Sequence, residues 1–153
     1  MKNFGWDLDY RRFKIYLSEH YGVNKTYYFI GYVPENTDLY NYLQDVGYHL
    51  VFKPILKTRK GKIKGNCDTE LVLQSMIDLN KYEKAILVSS DGDFYCLVSY
   101  LLNVNKLECV LAPCEESCSV LLIKAAKGRI AYVDKLKQIL EYKRKEPHKD
   151  GTL

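Results

Sequence analysis

The run Ala85-Ile86-Leu87-Val88 is apolar at every position, and Ser89-Ser90-Asp91-Gly92-Asp93 follows it directly. Beyond that turn, Leu97 and Leu101 recur at helical spacing. A strand with no polar face is covered on both sides, the condition met by parallel sheets flanked by helices. A strand-turn-helix junction of this kind lies at the C-terminal edge of such a sheet, where open α/β folds build their ligand sites. Asp91 and Asp93 are therefore expected at a functional rim.

The rest of the chain repeats the alternation. Tyr10, Phe13, Leu17 and Tyr21 predict an amphipathic helix stopped by Gly22, with Asp7 or Asp9 as its cap. The aromatic and branched run 26–33 reads as a buried strand ended by Pro34, and a helix is expected over 36–45 before Gly47. A short strand at 49–52 precedes a long basic loop. A helix over 66–79 should turn Leu71, Val72, Met76 and Leu79 inward. Strands at 84–89, 107–111 and 130–133 alternate with helices over 93–102 and 117–126, and Asp134 is expected to cap a last helix ending near Tyr142. This order predicts an α/β, three-layer sandwich with a mainly parallel sheet. It opens on a helix, so the strand that usually begins such an alternation is expected to be missing.

At 153 residues with 47% hydrophobic positions, the chain suits one domain, expected over 1–142, followed by a basic tail at 143–153. No apolar stretch approaches the roughly 18 residues of a transmembrane helix, and the start lacks a secretory signal, so a cytoplasmic protein without membrane contact is expected. Five cysteines, an odd number with no CxxC pair, suit a reducing compartment. Cys114 and Cys118 are spaced to face one another on a helix, but zinc would need two further soft ligands.

Lysine and arginine number 23 against 19 acids, a net charge of +4, although acids gather at the expected rim. Basic residues must therefore dominate elsewhere. Lys53, Lys57, Arg59, Lys60, Lys62 and Lys64 crowd the loop leading into Asp68, and phosphate contact is expected of them. Lys143, Arg144, Lys145 and Lys149 read as solvated tail.

Asp68 falls in phase with Leu71, Val72, Ser75 and Leu79, and Asp93 in phase with Leu97 and Leu101, so both acids are expected on inward helix faces. An acid so placed is costly unless it meets a cation or hydrogen-bond donors. Asp68, Asp91 and Asp93 can converge at one rim despite their separation in sequence. Clustered carboxylates repel, and a hard divalent ion, Mg2+ or Mn2+, relieves the conflict. Such an ion serves phosphodiester hydrolysis. Neither Ser89 nor Ser90 has a histidine base in sequence reach, and among the 14 tyrosines most are expected to pack; Phe94 and Tyr95 are the aromatics expected near a bound base.

Lys64-Gly65-Asn66-Cys67-Asp68 ahead of a helix, with Ser89-Ser90-Asp91-Gly92-Asp93-Phe94 after an apolar strand, resembles the NYN domain family of the LabA-like group, within the PIN-like nuclease superfamily. The likeness runs from about Phe4 to Leu140. It implies a Rossmann-like (PIN-like) parallel sheet and metal-dependent ribonuclease activity on single-stranded RNA, with Asp68, Asp91 and Asp93 catalytic and metal-binding. Lys64, Asn66 and Ser90 would support the phosphate beside Lys57, Arg59, Lys60 and Lys62. The family also places an aspartate, with a nearby asparagine, at the end of a first central strand, and this sequence begins just after that point. An N-terminally incomplete sheet is thus expected, with homo-oligomers forming through its open edge. The alternative expectation is a catalytically weakened nucleic-acid-binding or assembly module.

Overall fold

The computed structural model of the protein describes residues 5–57, 63–64 and 66–143. Helix α1 (Tyr10–Tyr21) starts where the Asp9 side chain accepts the Arg12 N–H at 3.1 Å. It stops at Gly22, whose φ of 71° lets its N–H return to the carbonyls of Leu17 and Ser18. Strand β1 (Tyr27–Tyr32) pairs in parallel with β2 (His49–Pro54), Tyr27 opposite His49 and Tyr32 opposite Pro54. The crossover between them is a 3-10 turn (Pro34–Asn36) and α2 (Thr37–Val46).

A short antiparallel hairpin, β3 (Leu56–Lys57) with β4 (Ile63–Lys64), precedes α3 (Asp68–Ile77). Next come β5 (Ala85–Val88), a 3-10 turn (Gly92–Phe94) and α4 (Tyr95–Asn103). Strand β6 (Leu107–Ala112), α5 (Val120–Ala126) and β7 (Ile130–Tyr132) follow, and a 3-10 turn (Val133–Leu136) leads into α6 (Lys137–Leu140). Strands β5, β6 and β7 form a parallel sheet in that order.

Alternation along β6 divides the core. Val110 and Ala112 join Leu87, Phe94, Leu97, Val98, Leu101 and Leu122 on the α4–α5 face, while Cys109 and Leu111 join Phe13, Leu17, Val133 and Leu140 on the α1–α6 face. Helices therefore cover both faces, as the fully apolar strand required. The protein is an α/β sandwich with parallel sheets and no closed barrel.

The parallel strands fall into two groups. Strands β1 and β2 make one sheet, β5 to β7 the other, and neither β1 nor β5 has a second strand partner among the described residues. Two helices span the break. Helix α1 sets Tyr10 edge-on to Tyr28 of β1, at 5.7 Å between ring centroids, and packs Phe13 and Leu17 with Ile86 and Val88 of β5. From the other face, Asp78 at the end of α3 accepts the Tyr27 hydroxyl of β1 at 2.9 Å, while Leu71 and Val72 pack on the core that contains Leu87.

Four local expectations need correction. The basic loop contains the β3–β4 hairpin, which is too short to leave a periodic signal. Met76 is 38% exposed, because α3 rests on the core through Leu71 and Val72 alone. Asp93 lies in the 3-10 turn ahead of α4 and is exposed, so it is out of phase with the buried Leu97 and Leu101. Asp134 caps no helix; it is within a 3-10 turn and its N–H donates to the Pro113 carbonyl at 3.0 Å. Among the described residues no helix is long and apolar enough to cross a membrane.

Candidate metal centre

Asp91 follows β5 by way of Ser89 and Ser90. The Asp91 N–H donates to Ser89 Oγ at 3.1 Å, and Asp91 Oδ1 accepts the Asp93 N–H at 2.9 Å. Side-chain caps of this kind lock a turn without a second strand. Gly92 is required by close approach: a Cβ there would stand 2.3 Å from Ser119 Oγ and 2.9 Å from Ser119 Cβ. Ser119 in turn donates its N–H to the Ser90 carbonyl at 3.1 Å, so the residue before α5 presses on the turn that carries both acids.

Asp68 arrives from the other side. It opens α3, and its N–H donates to Asn66 Oδ1 at 2.8 Å. Lys53 of β2 donates to the Asn66 carbonyl and lies 3.7 Å from Glu70 Oε1. The C-terminal end of β2 therefore fixes the start of α3. Together these contacts bring one carboxylate oxygen each of Asp68, Asp91 and Asp93 within 4.8 Å of one another.

Asp68 is half-buried; Asp91 and Asp93 are exposed. Burial pushes the Asp68 carboxyl above the usual carboxylate range, the Asn66 hydrogen bond partly offsets this, and the charges of Asp91 and Asp93 add to the rise. Among the described residues no lysine or arginine forms an ion pair with any of the three. A proton on Asp68 or a bound cation would relieve the repulsion among the three. All three donors are carboxylate oxygens, without histidine or cysteine, a set that suits Mg2+ or Mn2+ better than zinc. Asp68 and Asn66 edge a cleft of about 410 Å³ whose walls include Phe29, Ile30 and Gly31 of β1 and Val88 and Ser89 beside β5; Asp91 and Asp93 do not line it.

The three expected acids are brought together, and Asn66 is found holding one of them. Ser90 contributes its carbonyl to Ser119. Lys57 and Lys64 belong to the hairpin strands, whose side chains lie outside the described residues, as do Arg59, Lys60 and Lys62 altogether. Phe94 is buried, at 4% exposure, and cannot meet a base, whereas Tyr95 is 45% exposed. Sequence reasoning missed Ser119, whose only trace is a glycine between two aspartates. It also missed the anchoring by Lys53, which had been grouped with the phosphate-contacting bases.

A crystal structure of a protein of unknown function from Vibrio parahaemolyticus shares this fold, with a TM-score of 0.70 at 23% identity over 91% of this chain and 85% of that one. No curated protein sequence matches the chain. The NYN domain family matches residues 1–134. Spanning that length, the match covers every element from α1 to β7 and all three clustered acids. The chain belongs to the NYN domain family, a nuclease-like family of the PIN-like superfamily.

Proposed function

We propose that the protein is a metal-dependent ribonuclease that hydrolyses phosphodiester bonds of single-stranded RNA, with Mg2+ or Mn2+ held by Asp68, Asp91 and Asp93. The observation that carries this reading is the approach of three carboxylates, from segments 23 residues apart in sequence, to within 4.8 Å at the C-terminal rim of β5. A bound divalent ion supplies Lewis acidity toward the phosphodiester and lowers the pKa of a nearby water.

The chain's own residues do the positioning. Asn66 and the Lys53 anchor hold Asp68 from one side, and the Asp91 cap holds Asp93 from the other, so the carboxylates need little rearrangement to accept a cation. Partial burial of Asp68 strengthens its attraction for positive charge. Lys57, Arg59, Lys60, Lys62 and Lys64 would draw the RNA backbone toward this rim, and five free cysteines fit a reducing, cytoplasmic setting. The test is incubation of purified protein with a single-stranded RNA oligonucleotide. Cleavage that needs Mg2+ or Mn2+ and stops with EDTA supports the reading; cleavage indifferent to EDTA refutes it.

A second reading has one observation in its favour. Among the described residues neither β1 nor β5 has a second strand partner, so the cleft beside Asp68 lies at an interruption of the sheet, which favours a module that binds nucleic acid with weakened turnover. It predicts salt-sensitive RNA binding without cleavage.

A further inference from the structure

Two exposed aromatic rings meet at the C-terminal ends of β1 and β2. Tyr32, the last residue of β1, is 47% exposed, and Phe52, near the end of β2, is 38% exposed. Their centroids are 5.5 Å apart with the planes at 88°, an edge-to-face pair. Tyr40 of α2, which is buried, stacks on Tyr32 at 5.9 Å and sets its ring edge-on to Phe52 at 4.9 Å. Tyr40 is itself fixed: the Val33 N–H donates to its hydroxyl oxygen at 2.8 Å, and the hydroxyl donates to the Gly31 carbonyl at 3.1 Å. A buried phenol thus holds the main chain on both sides of Tyr32, and the exposed ring is presented already ordered. Single apolar side chains at a surface are ordinary, but two exposed rings braced by a buried third make a preformed aromatic surface.

The neighbours of these rings belong to the candidate metal centre. Gly31, one residue before Tyr32, lines the cleft that Asp68 and Asn66 edge. Lys53, one residue after Phe52, donates to the Asn66 carbonyl, and Asn66 Oδ1 accepts the Asp68 N–H. Successive residues of a strand point to opposite faces, so the rings lie on the α2 side of the rim and Lys53 reaches toward α3 on the other. A single strand of nucleic acid that crosses the rim meets both. Charge decides which part of a nucleotide suits the rings. Glu35 and Asp38 follow Tyr32 closely and oppose a phosphate there, whereas Lys53 and the basic run 57–64 follow Phe52. An uncharged base therefore suits the rings and the phosphates suit the basic segment, the division of labour of single-strand binders.

We propose that Tyr32 and Phe52 form a stacking platform for an unpaired base of single-stranded RNA, beside the metal centre. The platform rests on the nucleic-acid reading above and names a subsite within it. A base that stacks here must have a free face, so the platform favours single strands over duplex. It accepts any base, because every base has a π-face. Tyr40 braces the platform and, being buried, does not itself meet the base.

The test is fluorescence anisotropy of a labelled oligouridylate in EDTA, compared with an abasic ribose-phosphate oligomer of the same length. Tyr32→Ala should weaken oligouridylate binding about tenfold or more and leave the abasic strand unaffected. Tyr32→Leu, which keeps apolar cover over Tyr40 but has no ring, should show the same loss, so a fold damaged by alanine does not obscure the result. Tyr32→Trp should bind at least as tightly as the natural protein. Unchanged affinity in folded Tyr32→Leu overturns the proposal. So does an equal loss on both strands, which would show the ring shaping the rim without meeting a base. Failure of the natural protein to bind oligouridylate also overturns it, since stacking needs no metal. Cleavage with Mg2+ is measured separately. Cleavage alongside an inert Tyr32 removes the platform alone, and a platform effect without cleavage supports the platform and removes the nuclease reading alone.

Discussion

The side chain of Asp91 accepts the backbone N–H of Asp93 at 2.9 Å, so one acid of the cluster sets the position of another. Asp91 thus has two tasks that substitution can separate. Asparagine keeps an oxygen for the cap but loses the charge; alanine loses both. Asp91→Asn should leave the unfolding free energy from urea melts within the roughly 0.5 kcal/mol of a neutral surface change while lowering kcat/KM for RNA cleavage by about 100-fold or more. Asp91→Ala should add a loss of stability of about 1 kcal/mol. Equal stability of the two variants would remove the cap from the account.

Gly92 and Ser119 form the next testable pair. Gly92→Ala drives a methyl to within 2.3 Å of Ser119 Oγ, and overpacking of this kind costs about 1–3 kcal/mol. Ser119→Gly in the same chain removes both clashing atoms, so the double variant should recover most of the lost stability. Recovery absent from denaturant melts would show that some other constraint demands glycine.

Much of the centre was legible beforehand. Asp91 and Asp93 announced themselves by following an apolar strand, and Asp68 by starting a helix that had to meet the same rim. The helical phase that placed Asp68 on an inward face agrees with its half-buried position, but it fails for Asp93. Phase along a helix placed Asp93 inward, but the 3-10 turn at Gly92–Phe94 shifts the winding before α4 begins, and Asp93 emerges exposed. Ser119 could not be foreseen, because its contact with Gly92 joins segments whose meeting depends on how α5 returns over the sheet. The β3–β4 hairpin left no periodic trace in two-residue strands.

Protonation of Asp68 gives a pH signature. Its carboxyl is held above the usual range in the folded protein, so between the unfolded and folded pKa values the folded state binds more protons than the unfolded chain. Any stabilisation from this group is present at low pH and lost as pH rises through the folded value. Metal-free protein at neutral pH should therefore melt below Asp68→Asn. Adding Mg2+ should raise the melting temperature of the natural protein and not that of the variant, and the gain should shrink as the buffer is acidified. A variant that melts at or below the natural protein without metal would contradict this.

The basic hairpin makes a prediction about salt. If Lys60, Lys62 and Lys64 each neutralise one RNA phosphate, replacing all three by alanine should lower the slope of log affinity against log salt by about 2, from roughly 0.7 per phosphate. Fluorescence anisotropy of labelled single-stranded RNA reads the slope. An unchanged slope would move RNA to another face.

The central claim is that Asp68, Asp91 and Asp93 share one divalent cation. Mn2+ titration of the protein, followed by the loss of the free-ion electron paramagnetic resonance signal, measures this without RNA or turnover. Saturable binding that weakens about tenfold or more in Asp68→Asn and in Asp91→Asn, with folding intact, is the result predicted. Mn2+ binding of equal strength in the natural protein and both variants would contradict it.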